Sequence, residues 1–351
     1  MPLHCESDHP GQYNDGTPFT RFRLRNSAGM EVDILDYGAT LQALRVPDRA
    51  SGKPIDLVLG FADPAQYLKG HPYFGALVGR FANRLCGARF ELDGQTFQIV
   101  PNEGRNALHG GPKGLSFQRF EGALFEDSNR VGVTLTCRSS DGDMGFPGEL
   151  TVTVHYSLDE DNRLAIDYEA QSSKPTVVSL TNHAYFNLHG HGDVRDHRLE
   201  CAASHYLVLD DESIPTGTIA PVDDTPYDFR APATPRAREQ IECEQLWHAG
   251  GHDVALVLDR VARDQPLATL VEPESGRQLT VFTDQPSLQL YTGIGLDGTL
   301  SDHEGRPIKA FGGLALEAQQ FPDAPNHAHF PSTRLEPGEY YRQHTCYRLT
   351  F

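Results

Sequence analysis

Residues 149–170 read ELTVTVHYSLDEDNRLAIDYEA. Leu150, Val152, Val154, Tyr156 and Leu158 recur at every second position, with Thr151, Thr153 and His155 between them. Successive side chains of a strand point to opposite faces, so this alternation predicts a half-buried strand with one apolar face. The polar run Asp159-Glu160-Asp161-Asn162 predicts a reversal. Leu164, Ile166 and Tyr168 then resume the apolar face in an antiparallel partner.

Working outward, short apolar or alternating runs punctuated by Gly, Asn, Asp and Pro extend to both ends of the chain. Strands are expected at residues 19–25, 30–37 and 55–61, and at 89–92 and 96–100 around the hairpin signal Asp93-Gly94-Gln95. Further strands are expected at residues 197–209, 254–259, 278–282, 287–292, 314–318 and 340–351. Helical patterns are few, at 64–68 and 238–249, and the Pro-rich span Ile214 to Pro235 reads as a long surface excursion. There is no alternating βαβ rhythm and no fixed-period repeat. The expected class is all-β, a large antiparallel β-sandwich with a few short helices, formed by residues 1–351 as one domain.

The 351 residues are 38% apolar, ample for a core, and their 13 Tyr and 18 Phe favour strands. Thirty Lys plus Arg against 48 Asp plus Glu leave a net charge of −18. Phosphate backbones and anionic lipid require a basic face, so neither nucleic acid nor membrane is an expected partner. The polar beginning MPLHCESDHPGQYNDG lacks a signal-peptide pattern, and no apolar run nears the roughly 20 residues needed to span a bilayer, so a cytoplasmic protein is expected. Six widely spaced cysteines without a C-x-x-C pair read as reduced thiols.

A second stretch, VVSLTNHAYFNLH at residues 177–189, begins as an apolar strand over Val177 to Leu180 and then places Asn182, His183, Tyr185 and Asn187 on otherwise apolar ground. Regular alternation would put His183, Tyr185 and Asn187 on one face. Such groups form either a satisfied internal network or the wall of a polar cleft. Sixteen histidines raise the question of a metal, yet no H-E-x-x-H pair occurs and His189-Gly190-His191 reads as a turn, so no metal is expected. Residues 108–114, LHGGPKG, lack the order of a phosphate loop. What stands out instead are five polar clusters, at residues 79–84, 106–111, 182–185, 250–253 and 316–321. Together they offer three histidines, two carboxylates, two arginines and several amides. That set suits a neutral polyhydroxylated ligand and supplies an acid and a base.

In order along the chain, these clusters resemble the aldose 1-epimerase (galactose mutarotase) family nearly end to end. The carrying motifs are Asp36-Tyr37-Gly38-Ala39-Thr40-Leu41, Pro72-Tyr73-Phe74-Gly75-Ala76, Gly79-Arg80-Phe81-Ala82-Asn83-Arg84 and Asn106-Ala107-Leu108-His109-Gly110-Gly111. They continue with Leu180-Thr181-Asn182-His183-Ala184-Tyr185 and Leu316-Glu317-Ala318-Gln319-Gln320-Phe321-Pro322-Asp323. The resemblance implies the galactose mutarotase-like supersandwich, with interconversion of α and β anomers of free aldoses. It makes His183 the general acid and Glu317 the general base. Arg84 and His109 would hold sugar oxygens, and Asn83, Tyr185, Asp253 and Gln289 would complete the binding wall. Two departures stand out. Asp253 is followed by Val254-Ala255-Leu256 rather than the family's usual His-Asn and aromatic, and Phe120 replaces a common tryptophan.

Opening a cyclic hemiacetal takes a proton from the anomeric hydroxyl and delivers one to the ring oxygen. An acid and a base suffice, with no cofactor. Glu317 is expected to be held ionised by donors such as Arg84 or the amides of Gln289 or Gln319. Two rivals remain open: a sugar-phosphate epimerase using Arg80, Arg84 and Lys113, and a non-catalytic sugar-binding module. Neither a monomer nor a homodimer is singled out.

Overall fold

The computed structural model describes residues 3–49, 51–259 and 263–351. Its largest element is an eight-stranded antiparallel sheet built around the hairpin of residues 149–170. Leu150–Asp159 pairs with Arg163–Ser172 in the register Leu158↔Leu164, Tyr156↔Ile166 and Val154↔Tyr168. Arg130–Ser139 flanks it on one side and Tyr341–Thr350 on the other, followed by Gln278–Thr283, Ala268–Val271 and Arg198–Cys201, with Glu121–Glu126 at the far edge. Val152, Val154, Tyr156, Leu158, Leu164, Ile166 and Tyr168 are buried as the alternation requires. Thr153 and His155 bond to Thr136 and Thr134 across the outer face.

A six-stranded sheet packs over that apolar face. Its order is Tyr185–Phe186, Leu314–Gln319, Ser287–Tyr291, Asp253–Leu258, Ala203–Leu209 and Pro215–Pro221. Leu314, Leu316 and Ala318, Leu288 and Leu290, and Val254 and Leu256 all join the buried cluster of the larger sheet. Full burial of such side chains stabilises by about 1.5–3 kcal/mol each. The same cluster takes Phe22, Leu24, Val32 and Ile34 from a five-stranded meander that opens the chain, running from His4–Asp8 to Pro54–Asp56.

Several expectations change in the structure. Residues 197–209 form two strands, because the chain leaves the eight-stranded sheet after Cys201 and enters the six-stranded one at Ala203. The Pro-rich excursion contains the edge strand Pro215–Pro221, an edge being where a sheet tolerates Pro. The helix expected at 238–249 is two short ones, Pro235–Arg238 and Glu244–Ala249. Val177 to Leu180 is not one strand. Its neighbourhood breaks into Thr176–Val177, Thr181–Asn182 and Tyr185–Phe186, which pair with Arg334–Leu335, Leu77–Val78 and Leu314–Gln319 respectively. Asn187 therefore does not share a face with His183. Its amide donates to the carbonyls of Gly192 and Gly312.

Candidate active site

The outer face of the six-stranded sheet carries the polar residues. Alternation that sends Leu316 and Ala318 into the core turns Glu317 outward, and register sets Gln289 directly opposite it. Asp253 lies opposite Tyr291 on the next strand. One apolar cluster, with Ala255, Phe81 and Phe321, covers part of this face. Another, with Tyr185, Phe61 and Phe74, covers a second part. Glu317 and Gln289 sit on the two strands between those of Tyr185 and Ala255.

His183 reaches the same place from the segment beside the sheet. Its N–H donates to Ala76 O at 2.9 Å, and its carbonyl accepts from Gly75 N at 2.9 Å. Asn182 anchors this from behind, donating to Gly75 O at 2.7 Å and accepting from Ala184 N at 3.1 Å. Gly75 has φ 63°, and a Cβ there would lie 2.0 Å from Leu41 O, so only glycine fits the turn that grips His183. The imidazole lies between the rings of Tyr73 and Tyr185, with centroids 5.8 and 4.8 Å away.

The result is a cleft of about 440 Å³ in which His183 Nε2 and Glu317 Oε1 stand 3.6 Å apart, both side chains nearly inaccessible. Asn83, Arg84, His109, Tyr185 and Asp253 line the same cleft. Gln289 does not line it but donates to Asp253 Oδ1 at 2.6 Å. A larger cleft of about 560 Å³, around Tyr37 and Arg119, holds none of these residues.

Electrostatics in the cleft follow from burial. Loss of water pushes the His183 imidazole down to about 4. Glu317 is raised well above the ordinary carboxyl value by burial and by the negative charge of Asp253, with Arg84 pulling the other way. The donors expected to ionise Glu317 are engaged elsewhere or do not reach it. Arg84 bonds Glu103 and Asp253, the Gln289 amide bonds Asp253, and neither amide atom of Gln319 has a partner within the protein. Glu103 and Asp253 are carboxylates within direct reach of the guanidinium, and they take three of its five N–H groups. Glu317 Oε2, His183 Nδ1 and Gln289 Oε1 are likewise buried without a protein partner, which favours a polar ligand here.

His109 and Asn83 hold each other in left-handed backbone, with φ 53° and 66°. Asn83 N donates to His109 Nδ1 at 3.1 Å. Burial, together with His183 and Arg84, keeps His109 neutral by lowering its pKa well below 6.5. A neutral ring whose Nδ1 lone pair is taken carries its proton on Nε2, which makes it a donor. His109, His183 and Glu317 bring ligand atoms within 4.8 Å of one another, but a protonated Nε2 cannot ligate a cation. His109 thus lines the cleft as a hydrogen-bond donor.

Sequence reasoning missed Tyr73, Glu103 and Tyr291, all lining the cleft. Tyr291 was findable, two residues beyond Gln289 on the same strand face. Glu103 lies in an ordinary-looking polar turn.

The aldose 1-epimerase family model matches residues 20–348. The chain is 42% identical over 340 residues to galactose mutarotase of Rattus norvegicus, covering 95% of each. It is 39% identical over 347 residues to aldose 1-epimerase of Escherichia coli K12, covering 98% of this chain and 99% of that protein. Among solved structures, galactose 1-epimerase from Lactobacillus acidophilus superposes with a TM-score of 0.89 at 28% identity, over 99% of both chains. A sheet-face cleft holding a buried His–Glu pair, within a fold and a sequence shared end to end with these proteins, has one conclusion: the chain belongs to the aldose 1-epimerase family.

Proposed function

We propose that the protein interconverts the α and β anomers of free aldoses such as galactose and glucose, with His183 as general acid and Glu317 as general base. The observation that carries this assignment is the pair itself: two buried titratable groups 3.6 Å apart in a cleft lined by hydroxyl-binding side chains. Burial disfavours charge on either group, so the pair favours sharing one proton between them. In the acting form that proton sits on His183 and Glu317 is the carboxylate. Glu317 takes the anomeric hydroxyl's proton while His183 gives its own to the ring oxygen, and the C1–O5 bond opens. After rotation about C1–C2 the transfers reverse and close the ring on the other face. Because a single proton moves each way, the same pair serves both directions.

Donors and acceptors for the remaining hydroxyls would be His109 Nε2–H, the Asn83 amide, Arg84, Tyr185 and the Asp253–Gln289 pair. The departures from the family pattern leave this set intact. Val254 faces the core, Ala255 packs in the apolar layer, and Phe120 belongs to the main core. A sugar-phosphate substrate is less well supported. Arg80 is buried and spends its guanidinium on Ser139 and on the carbonyls of Ser139, Ser140 and Gly148. Lys113 is exposed and does not line the cleft. A sugar-binding module without catalysis would have no use for a buried acid–base pair. We take residues 1–351 to act as one domain, since one apolar cluster draws on the three largest sheets. No helix among the described residues is long and apolar enough to cross a membrane, and a cytoplasmic location is part of the same proposal.

Polarimetry of freshly dissolved α-D-galactose and α-D-glucose tests the reading. The protein should speed mutarotation of both free sugars and leave glucose 6-phosphate near its spontaneous rate. His183→Asn should lower kcat by about 10²–10⁴-fold. Full activity in that variant would sink the assignment.

A further inference from the structure

Glu103 belongs to none of the motifs that carried the site, yet its carboxylate meets Arg84 edge-on. Arg84 Nε donates to Oε2 at 2.7 Å and Nη2 to Oε1 at 3.1 Å, a bidentate fork. The remaining terminal nitrogen, Nη1, reaches Asp253 Oδ2 at 3.3 Å, and Asp253 in turn receives Gln289. Of the five guanidinium N–H groups, three are thereby used inside the protein and two remain for a ligand.

The turn that carries Glu103 is itself tied down. Glu103 N and Asn102 N both donate to Asn106 O, and Asn106 N donates back to Glu103 O. Asn106 Oδ1 accepts from Gly87 N at 2.8 Å, and its amide donates to Glu212 at 2.9 Å. The Arg84 side chain is 14% exposed and that of Glu103 is 36% exposed. This is a cleft-wall pair of defined geometry, unlike the freely solvated ion pairs that contribute little.

We propose that Glu103 is a positioning residue for aldose binding: by occupying the Nε–Nη2 edge of Arg84 it fixes the guanidinium plane against Asp253 and Gln289, setting the directions in which this edge of the cleft meets sugar hydroxyls. The proposal rests on the anomerisation reading above. It also has an electrostatic consequence. Arg84 is the group that opposes the upward shift of Glu317, and Glu103 offsets part of that positive charge. Removing the Glu103 charge lets Arg84 pull proton affinity out of the His183–Glu317 pair, so the alkaline limb of the pH–rate profile moves to lower pH.

The test is polarimetric kinetics with α-D-galactose on the parent, E103Q, E103D, R84K and E103Q/R84K. E103Q should raise KM about 3- to 10-fold, the scale of coupling between residues in direct contact, with kcat within about twofold and the alkaline limb shifted down. E103D keeps the charge but shortens the reach, so it should leave the limb in place and recover part of the KM. In the R84K background, where no fork exists to be aligned, E103Q should add little. Parental KM and pH profile in E103Q, or a KM increase that multiplies fully on top of R84K, would overturn the proposal. Should E103Q not fold, E103D decides: a parental KM there overturns the proposal, and a raised KM with an unmoved limb supports it. An active parent with an indifferent E103Q rejects this inference alone, whereas a parent without anomerisation rejects the reading beneath it.

Discussion

The six-stranded sheet has two faces built by the same strands. On Leu314–Gln319 the inward positions are Leu314, Leu316 and Ala318 and the outward ones Ala315, Glu317 and Gln319, and every one is buried. The inward face meets the larger sheet and satisfies itself by packing. The outward face is equally shielded from water yet keeps buried polar atoms, Glu317 Oε2 and Gln289 Oε1 among them, without partners in the protein. A polar atom so placed costs about 1–3 kcal/mol. One face of each strand therefore stabilises the fold, and the other gives up part of that stability to keep polar groups unpartnered at the cleft. The large apolar contact behind the cleft makes this tolerable.

The contrast breaks most visibly at Glu317. Glu317→Gln changes one oxygen to an amide and leaves the inward face untouched. Mutarotation should fall by about 10²–10⁴-fold, with circular dichroism and the unfolding profile retaining a single folded state. Retention of turnover would remove Glu317 from the chemistry. Its neighbour in the chain should show the reverse. Leu316 is 1% exposed in the main core, and Leu316→Ala should cost about 2–5 kcal/mol in chemical denaturation. At temperatures where it is folded, its kcat should stay near the parental value. A large loss of kcat in folded Leu316→Ala would show that the two faces are not separable.

That separation also explains what could be read from the sequence. Where a strand alternates and stays with one partner, as in residues 150–172 or 314–319, period two fixes which side chains face which layer. Glu317 falls on the outward side of such a pattern, and its role as base was legible only through the family resemblance. The segment around His183 was not legible in the same way. Thr176–Val177, Thr181–Asn182 and Tyr185–Phe186 pair with three different partners, so no single alternation spans them. Its motif was recognisable, but its path was set by contacts as remote as Gly75 and Tyr156. The same holds for residues 197–209, whose change of sheet leaves no break in apolar pattern. The donors expected at Glu317 were misassigned because burial of the carboxyl dominates there and because Glu103 and Asp253 engage Arg84 instead. A carboxylate in a polar turn carries no local sign of what it will face across the fold.

A smaller effect sharpens the comparison in stability alone. The unfolded chain releases the Glu317 proton near 4.5, whereas the folded protein retains it to a higher pH because of burial and Asp253. Below about 4.5 both states are protonated and no penalty arises. As pH rises toward the folded value, only the unfolded state sheds its proton, so native stability declines, by at most about 1.4 kcal/mol per pH unit from this group. His183 acts over a separate window. Its folded value near 4 lies below the ordinary 6.5, so its contribution is lost as pH falls from 6.5 toward 4. Above pH 6.5, therefore, Glu317 is the member of the pair that moves the balance. Glu317→Gln has no proton to lose, and its melting temperature should gain on the parent's as pH rises toward the folded Glu317 value, while the two converge toward pH 4.5. A Tm difference independent of pH would mean that Glu317 is already ionised in the folded protein, and the outward face would then carry less strain than its geometry implies.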